Sequence, residues 1–122
     1  MQSQKKKLLV VDDEEDILEF LKVILEDEGY TVVTTDKDDY LKKLQDDTLP
    51  DLILLDLLLS GKDAREIVKY LKTNEKTNHI PVIMLSAHPS ARETTKQAGA
   101  DDFVAKPFEI DLLLNKVAQH LK

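Results

Sequence analysis

The strongest constraint on the fold is a series of short, continuous apolar runs, each stopped by a polar residue and followed by a segment with helical periodicity. Leu52-Ile-Leu-Leu-Asp56-Leu-Leu-Leu-Ser60 is the clearest of them. It is far shorter than the ~18 apolar residues that a membrane span requires. A lone carboxylate in mid-core would be strongly penalised. The conflict disappears if a strand runs from Leu52 to Leu55 and delivers Asp56 to its exit, with Leu57 to Leu59 starting the next loop.

Lys7 to Val11, Tyr30 to Thr35, Ile80 to Leu85 and Phe103 to Ala105 read as further strands. Pro81 falls near the start of its strand, where proline is tolerated. Between the strands, apolar residues recur at helical spacing. Ile17, Phe20, Leu21, Ile24 and Leu25 mark a first helix, closed by Gly29 as a C′ residue. Tyr40, Leu41 and Leu44 mark a second; Ala64, Ile67, Val68 and Leu71 mark a third. Ser90-Ala-Arg-Glu93 has capping-box spacing and opens a fourth, which ends near Gly99. Ile110, Leu113, Leu114, Val117 and Leu121 form the apolar face of a fifth. Alternating strands and helices imply right-handed βαβ crossovers and a parallel sheet covered on both faces. Strands buried on both faces are apolar throughout, as these are.

The chain has 122 residues and reads as one domain, with residues 1–4 a frayed tail. A 42% hydrophobic and 34% charged composition suits a soluble globular protein. The apolar run after the basic N-terminus is too short for a signal peptide, so the expected location is cytoplasmic, with no membrane partner. The absence of cysteine excludes disulfides and thiolate metal sites. A net charge of -7 argues against direct nucleic-acid binding, since Lys5-Lys6-Lys7 is the only basic run.

The strand ends carry the chemistry. The first strand stops at Asp12-Asp13, the third at Asp56, the fourth at Ser86 and the fifth at Lys106. Open α/β sheets bind ligands beyond the carboxyl ends of their strands, at a topological switch point. Three neighbouring carboxylates repel one another unless a cation joins them. Hard oxygen donors without histidine or cysteine suit Mg²⁺ or Mn²⁺. A carboxylate beside such a cation can attack a phosphoryl group, whose charge then needs a metal, an ammonium and a hydrogen-bond donor.

Taken singly, these residues have plainer readings. Asp12-Asp13-Glu14-Glu15-Asp16 could simply serve a helix start. Lys106 could be a solvated lysine, Ser86 a turn residue and Phe103 a core aromatic. A glycosidase-type carboxylate pair is not excluded by counting acids, although adjacent aspartates and a lysine fit it poorly. His79, His88 and His120 lack metal-ligand spacing and are expected on loops or a helix surface. Gly29, Gly61 and Gly99 are too far apart for a glycine-rich phosphate loop.

Leu8-Leu-Val-Val-Asp-Asp13, Asp51-Leu-Ile-Leu-Leu-Asp56, Ile83-Met-Leu-Ser-Ala87 and Gly99-Ala-Asp-Asp-Phe-Val-Ala-Lys-Pro-Phe108, in this order, make the chain resemble the receiver domain of bacterial two-component response regulators. The resemblance implies a flavodoxin-like, chemotaxis-regulator-like fold with five parallel strands in the order 2-1-3-4-5 and five flanking helices. It implies that Asp56 accepts a phosphoryl group from a histidine kinase or histidine phosphotransfer protein. Asp13 would bind Mg²⁺ directly, Asp12 through water, and Leu58 through its backbone carbonyl. Lys106, preceding Pro107 across a cis bond, would hold a phosphoryl oxygen, and Ser86 would rotate to donate to it. Phe103 would be the aromatic switch, packing inward on phosphorylation. The fourth helix, fifth strand and fifth helix would form the surface that changes for a downstream protein partner. Such a domain catalyses part of its own phosphotransfer without being a turnover enzyme.

The sequence also departs from that pattern. Ser60 stands where proline is common and Ala64 where glycine is common. Phe103 lacks the hydroxyl of a tyrosine. Leu58 and His88 occupy positions that tune dephosphorylation, and an apolar Leu58 cannot orient an attacking water, so slow self-dephosphorylation is expected. No arginine occurs between Glu109 and Lys122, so the charged dimer interface of one large group of DNA-binding regulators is not expected; a monomer or weak dimer is. Two alternatives remain. One is a receiver-like binding module that signals without phosphorylation. The other is an aspartate-nucleophile phosphatase, which would carry a second aspartate where Leu58 stands.

Overall fold

The computed structural model describes residues 5–37, 39–44, 46–59, 62–88 and 91–121. Five parallel strands form one sheet: β1 (Lys7–Val11), β2 (Thr31–Thr35), β3 (Leu52–Asp56), β4 (Val82–Ser86) and β5 (Asp102–Ala105). Their spatial order is β2-β1-β3-β4-β5, as expected. The chain leaves β1 toward β2 and then returns to β1's other side as β3, so the switch point lies between β1 and β3.

The intervening helices are α1 (Glu15–Asp27), α2 (Asp39–Lys42), α3 (Arg65–Thr73), α4 (Ala91–Gln97) and α5 (Ile110–His120). They cover both faces. Leu8, Val10, Leu52, Leu54, Ile83, Leu85 and Val104 pack with Leu21 and Leu25 of α1 and Leu113 and Val117 of α5. The alternate residues Leu9, Val11, Ile53, Leu55, Val82, Met84 and Phe103 pack with Leu41 of α2, Ile67, Val68 and Leu71 of α3, and Ala91 and Ala98 around α4. This is the reason that the strands lack polar alternation. Each such leucine contributes about 1.5–3 kcal/mol on burial.

Several boundaries differ from expectation. The fourth strand starts at Val82, because Pro81 has no amide to donate, and it extends to Ser86. The fifth strand starts at Asp102. The second helix is one short turn, Asp39–Lys42, followed by a 3₁₀ turn at Asp46–Thr48. Phe20 and Ile110, expected on apolar faces, are 41% and 43% exposed. Each lies at the margin of its helix's stripe, whose centre is buried. Instead of a plain loop, Leu58–Leu59 pairs antiparallel with Lys62–Asp63 beyond β3. Gly29 (φ +99°) and Gly99 (φ +104°) take the left-handed conformation and end α1 and α4. The frayed tail, the Ser60 departure, Gly61 and the Ser90 cap lie outside the described residues.

Candidate functional site

Register dictates which strand ends meet. Val11 pairs with Leu55, so the next residues, Asp12 and Asp56, leave adjacent strands at the switch point. Ser86 pairs with Ala105, and the Lys106 amide extends that ladder by donating to the Ser86 carbonyl at 2.9 Å. The Lys106-Pro107 peptide bond is cis, as expected.

These placements converge on a shallow recess of about 270 Å³ lined by Asp13, Glu14, Asp56, Leu58, Ser86, Ala87, His88 and Lys106. Asp12 lies fully buried beside it. One carboxylate oxygen from each of Asp12, Asp13 and Asp56 falls within 4.8 Å of the others. Lys106 Nζ donates to Asp12 Oδ2 at 2.8 Å and lies 3.4 Å from Asp56 Oδ1. The Glu14 amide donates to Asp12 Oδ1 at 2.9 Å. Asp12 therefore turns one oxygen to the lysine and one to the start of α1. The acid run does not cap α1 in the usual way: Glu14 at the N-cap makes no side-chain cap bond.

The electrostatics follow from this crowding. Burial first, and the Asp12 charge second, push the Asp56 carboxyl up to about 6; Lys106 and the Leu58 amide, which hydrogen-bonds to it, act in the opposite direction. Burial works to lower the Lys106 pKa, but its hydrogen bond and charge contact with Asp12, together with Asp56, outweigh this and raise it. A cation held by the carboxylates would relieve the same repulsion. Three hard oxygen donors in one small region fit Mg²⁺, which takes one or two carboxylates and fills its remaining positions with water and phosphate oxygens.

The chain matches the response regulator receiver domain family model over residues 8–118. The chain belongs to the response regulator receiver domain family. This receiver is 34% identical over 114 residues to the phosphate regulon transcriptional regulatory protein PhoB of Escherichia coli, a match covering 92% of this chain and 50% of PhoB. It thus spans about half the length of the curated relatives it matches. It is similar in structure to a response regulator from Chloroflexus aurantiacus, with a TM-score of 0.90, 32% identity and coverage of 97% and 98% of the two chains. The receiver domain of NtrX from Brucella abortus matches with a TM-score of 0.84 and 33% identity, covering 93% of this chain and 97% of that one. Phosphorylation-dependent switching is the function of this family, and its members bind Mg²⁺ through an acidic pocket.

Asp12, Asp13, Asp56, Leu58, Ser86, His88 and Lys106 all gather at the receiver's recess. Phe103 does not line it; its ring is buried on β5 beneath α4. Ser86 is buried, and its Oγ accepts the His88 amide at 3.0 Å. Leu58 and His88 are exposed at the rim.

Three features escaped the sequence reading. Glu14 Oε1 approaches Lys106 Nζ at 4.0 Å. The Arg92 guanidinium sits over the Phe103 ring, 5.2 Å from its centroid. His120, expected on the surface, is half-buried and meets Asp102 Oδ2 at 2.9 Å, while Lys116 takes Oδ1 at 2.7 Å. Glu14 stood in an acid run whose directions could not be read. Arg92 and His120 had no local signal, because their partners lie on β5.

Proposed function

We propose that Asp56 is the phosphoacceptor of this receiver and that its donor is a phosphohistidine on a histidine kinase or histidine phosphotransfer protein. The observation that carries this reading is the meeting of Asp12, Asp13 and Asp56 with Lys106 at the switch point. Asp13, Asp56 and the Leu58 carbonyl would hold Mg²⁺ or Mn²⁺ directly, with Asp12 acting through water. When bound, the cation supplies positive charge to the oxygens of the transferring group.

The chain's own residues do the rest. An Asp56 oxygen attacks phosphorus, and the bond to the donor nitrogen breaks with its electron pair on nitrogen. Lys106, already turned toward Asp56, holds an oxygen of the new aspartyl phosphate. Ser86 gives up the bond from the His88 amide, rotates and donates its hydroxyl to another. Movement of Ser86 and Lys106 biases Phe103 and the surface of α4, β5 and α5 toward a form that a downstream protein binds. Leu58 presents at the rim an apolar side chain that cannot orient an attacking water, and His88 stands at the second position that tunes dephosphorylation; the apolar Leu58 makes the phosphorylated form long-lived. The domain acts as a cytoplasmic, monomeric or weakly dimeric switch. It binds protein rather than nucleic acid, and does not turn over a separate substrate.

Intact mass after incubation with acetyl phosphate tests this reading. One phosphoryl group should appear in wild type with Mg²⁺, and none without the metal or in Asp56→Asn. Uptake by folded Asp56→Asn at the same site would overturn it.

A further inference from the structure

We propose that Glu14 sets the phosphoryl-donor preference of this receiver, acting as a fixed negative charge at the mouth of the recess that disfavours small, highly charged donors and competes with them for Lys106. This rests on the reading of Asp56 as acceptor. The position of Glu14 is determined by its backbone: extended at the start of α1 (φ -96°, ψ 111°), with its amide held by Asp12 at 2.9 Å. Its carboxylate makes no cap bond, and Glu15 and Asp16 already place acids in the first turn of α1, so the helix has no local use for a third. Instead the side chain, 62% exposed, lines the recess and stands 4.0 Å from Lys106 Nζ.

Charge counting shows what this does. Asp12, Asp13, Asp56 and Glu14 carry four negative charges against the one positive charge of Lys106. A bound divalent cation leaves one in excess, and Glu14 is the acid that neither takes a close bond from Lys106 nor belongs to the triad. An approaching donor meets that excess at the mouth. A protein donor can answer it with a basic side chain of its own. A small anion cannot.

Two small donors of different charge separate this effect from a structural one. Acetyl phosphate is a dianion: the Asp56–P bond forms, the P–O bond to the acyl group breaks, and acetate leaves with the electron pair. Phosphoramidate carries one net negative charge near neutral pH: its P–N bond breaks and the already protonated nitrogen leaves as ammonia. Rates of mass gain would be compared at saturating Mg²⁺ in wild type, Glu14→Gln and Glu14→Lys. Removing one charge at this range should speed acetyl phosphate about three-fold at low ionic strength and phosphoramidate by less than about two-fold. Glu14→Lys should shift the preference further, and about 0.5 M salt should collapse the differences. An unchanged preference in Glu14→Gln, slower reaction with acetyl phosphate, or a shift that persists undiminished at high salt would overturn the role of Glu14. Wild type that gains no phosphoryl group from either donor would overturn the acceptor reading and this one with it.

Discussion

At the scale of single residues, the fold makes Asp56 harder to ionise than an ordinary aspartate. Its carboxyl is raised from 3.8 to about 6, chiefly by burial and then by Asp12. The native state therefore holds a proton between these values that the unfolded chain releases. The contribution of this group to stability is complete below about 3.8 and is lost as pH rises through about 6. Ionised Asp56 is thus a liability near neutral pH in metal-free protein. Asp56→Asn should be about 1–2 kcal/mol more stable than wild type at neutral pH and no more stable near pH 4, read from urea midpoints without divalent cations. Lower stability of the variant at neutral pH would contradict this. Lys106 has the opposite standing. It is the close cation beside a fully buried Asp12, and Lys106→Met leaves that carboxylate uncompensated. A loss of about 3 kcal/mol is expected. Adding Asp12→Asn should recover much of it, and a double variant no better than the single one would place the cost elsewhere.

At the scale of elements, α5 is tied to the edge strand β5 through one carboxylate. Asp102 accepts Lys116 Nζ at 2.7 Å and His120 Nε2 at 2.9 Å, and Lys116 also reaches the Phe103 carbonyl at 3.0 Å. Burial acts to raise the Asp102 pKa, but these bonds and the Phe103 amide outweigh it and lower it. A depressed carboxyl contributes stability above its unfolded value, and that contribution is lost as pH falls through the folded one. Asp102→Asn should therefore lose about 1–2 kcal/mol at neutral pH, with the difference from wild type shrinking as the medium is acidified below about pH 4. A difference that did not vary with pH would assign the tether to packing. This tether also shows where sequence reading stops. The strands and the strand-end residues were legible because apolar runs, Gly29 and the stops at Asp12, Asp56 and Lys106 are local patterns, whereas the strand order followed only from the family resemblance. Phe20 and Ile110 matched a helical period yet sit at the edge of their stripes, since periodicity gives a face but not its width. The one-turn α2 was overread from Leu44, which packs against the core beyond the end of the helix at Lys42. Glu14, Arg92 and His120 take their meaning from residues distant in sequence or from a side-chain direction, and no local pattern encodes either.

At the scale of the whole molecule, a chain of net charge -7 concentrates Asp12, Asp13, Asp56 and Glu14 at one end of its sheet. Asp12 and Asp56 are buried at the ends of β1 and β3, strands whose packing is fixed by the two hydrophobic faces, so these two charges cannot spread apart without disturbing them. Repulsion at this end is then a property of the native state that the unfolded chain largely escapes. A divalent cation that binds only the assembled triad should stabilise the entire fold by mass action, about 2.7 kcal/mol at a hundred-fold excess over its dissociation constant. Thermal melts with Mg²⁺, against KCl at matched ionic strength, separate specific binding from general screening of the net charge. The midpoint should rise with Mg²⁺ in wild type and hardly at all in Asp13→Asn. Because protons compete for Asp56, the gain should fade as pH drops through about 6. Equal gains from the two salts would mean that the triad is only an electrostatic burden, and a full Mg²⁺ response in Asp13→Asn would move the metal away from the end of β1.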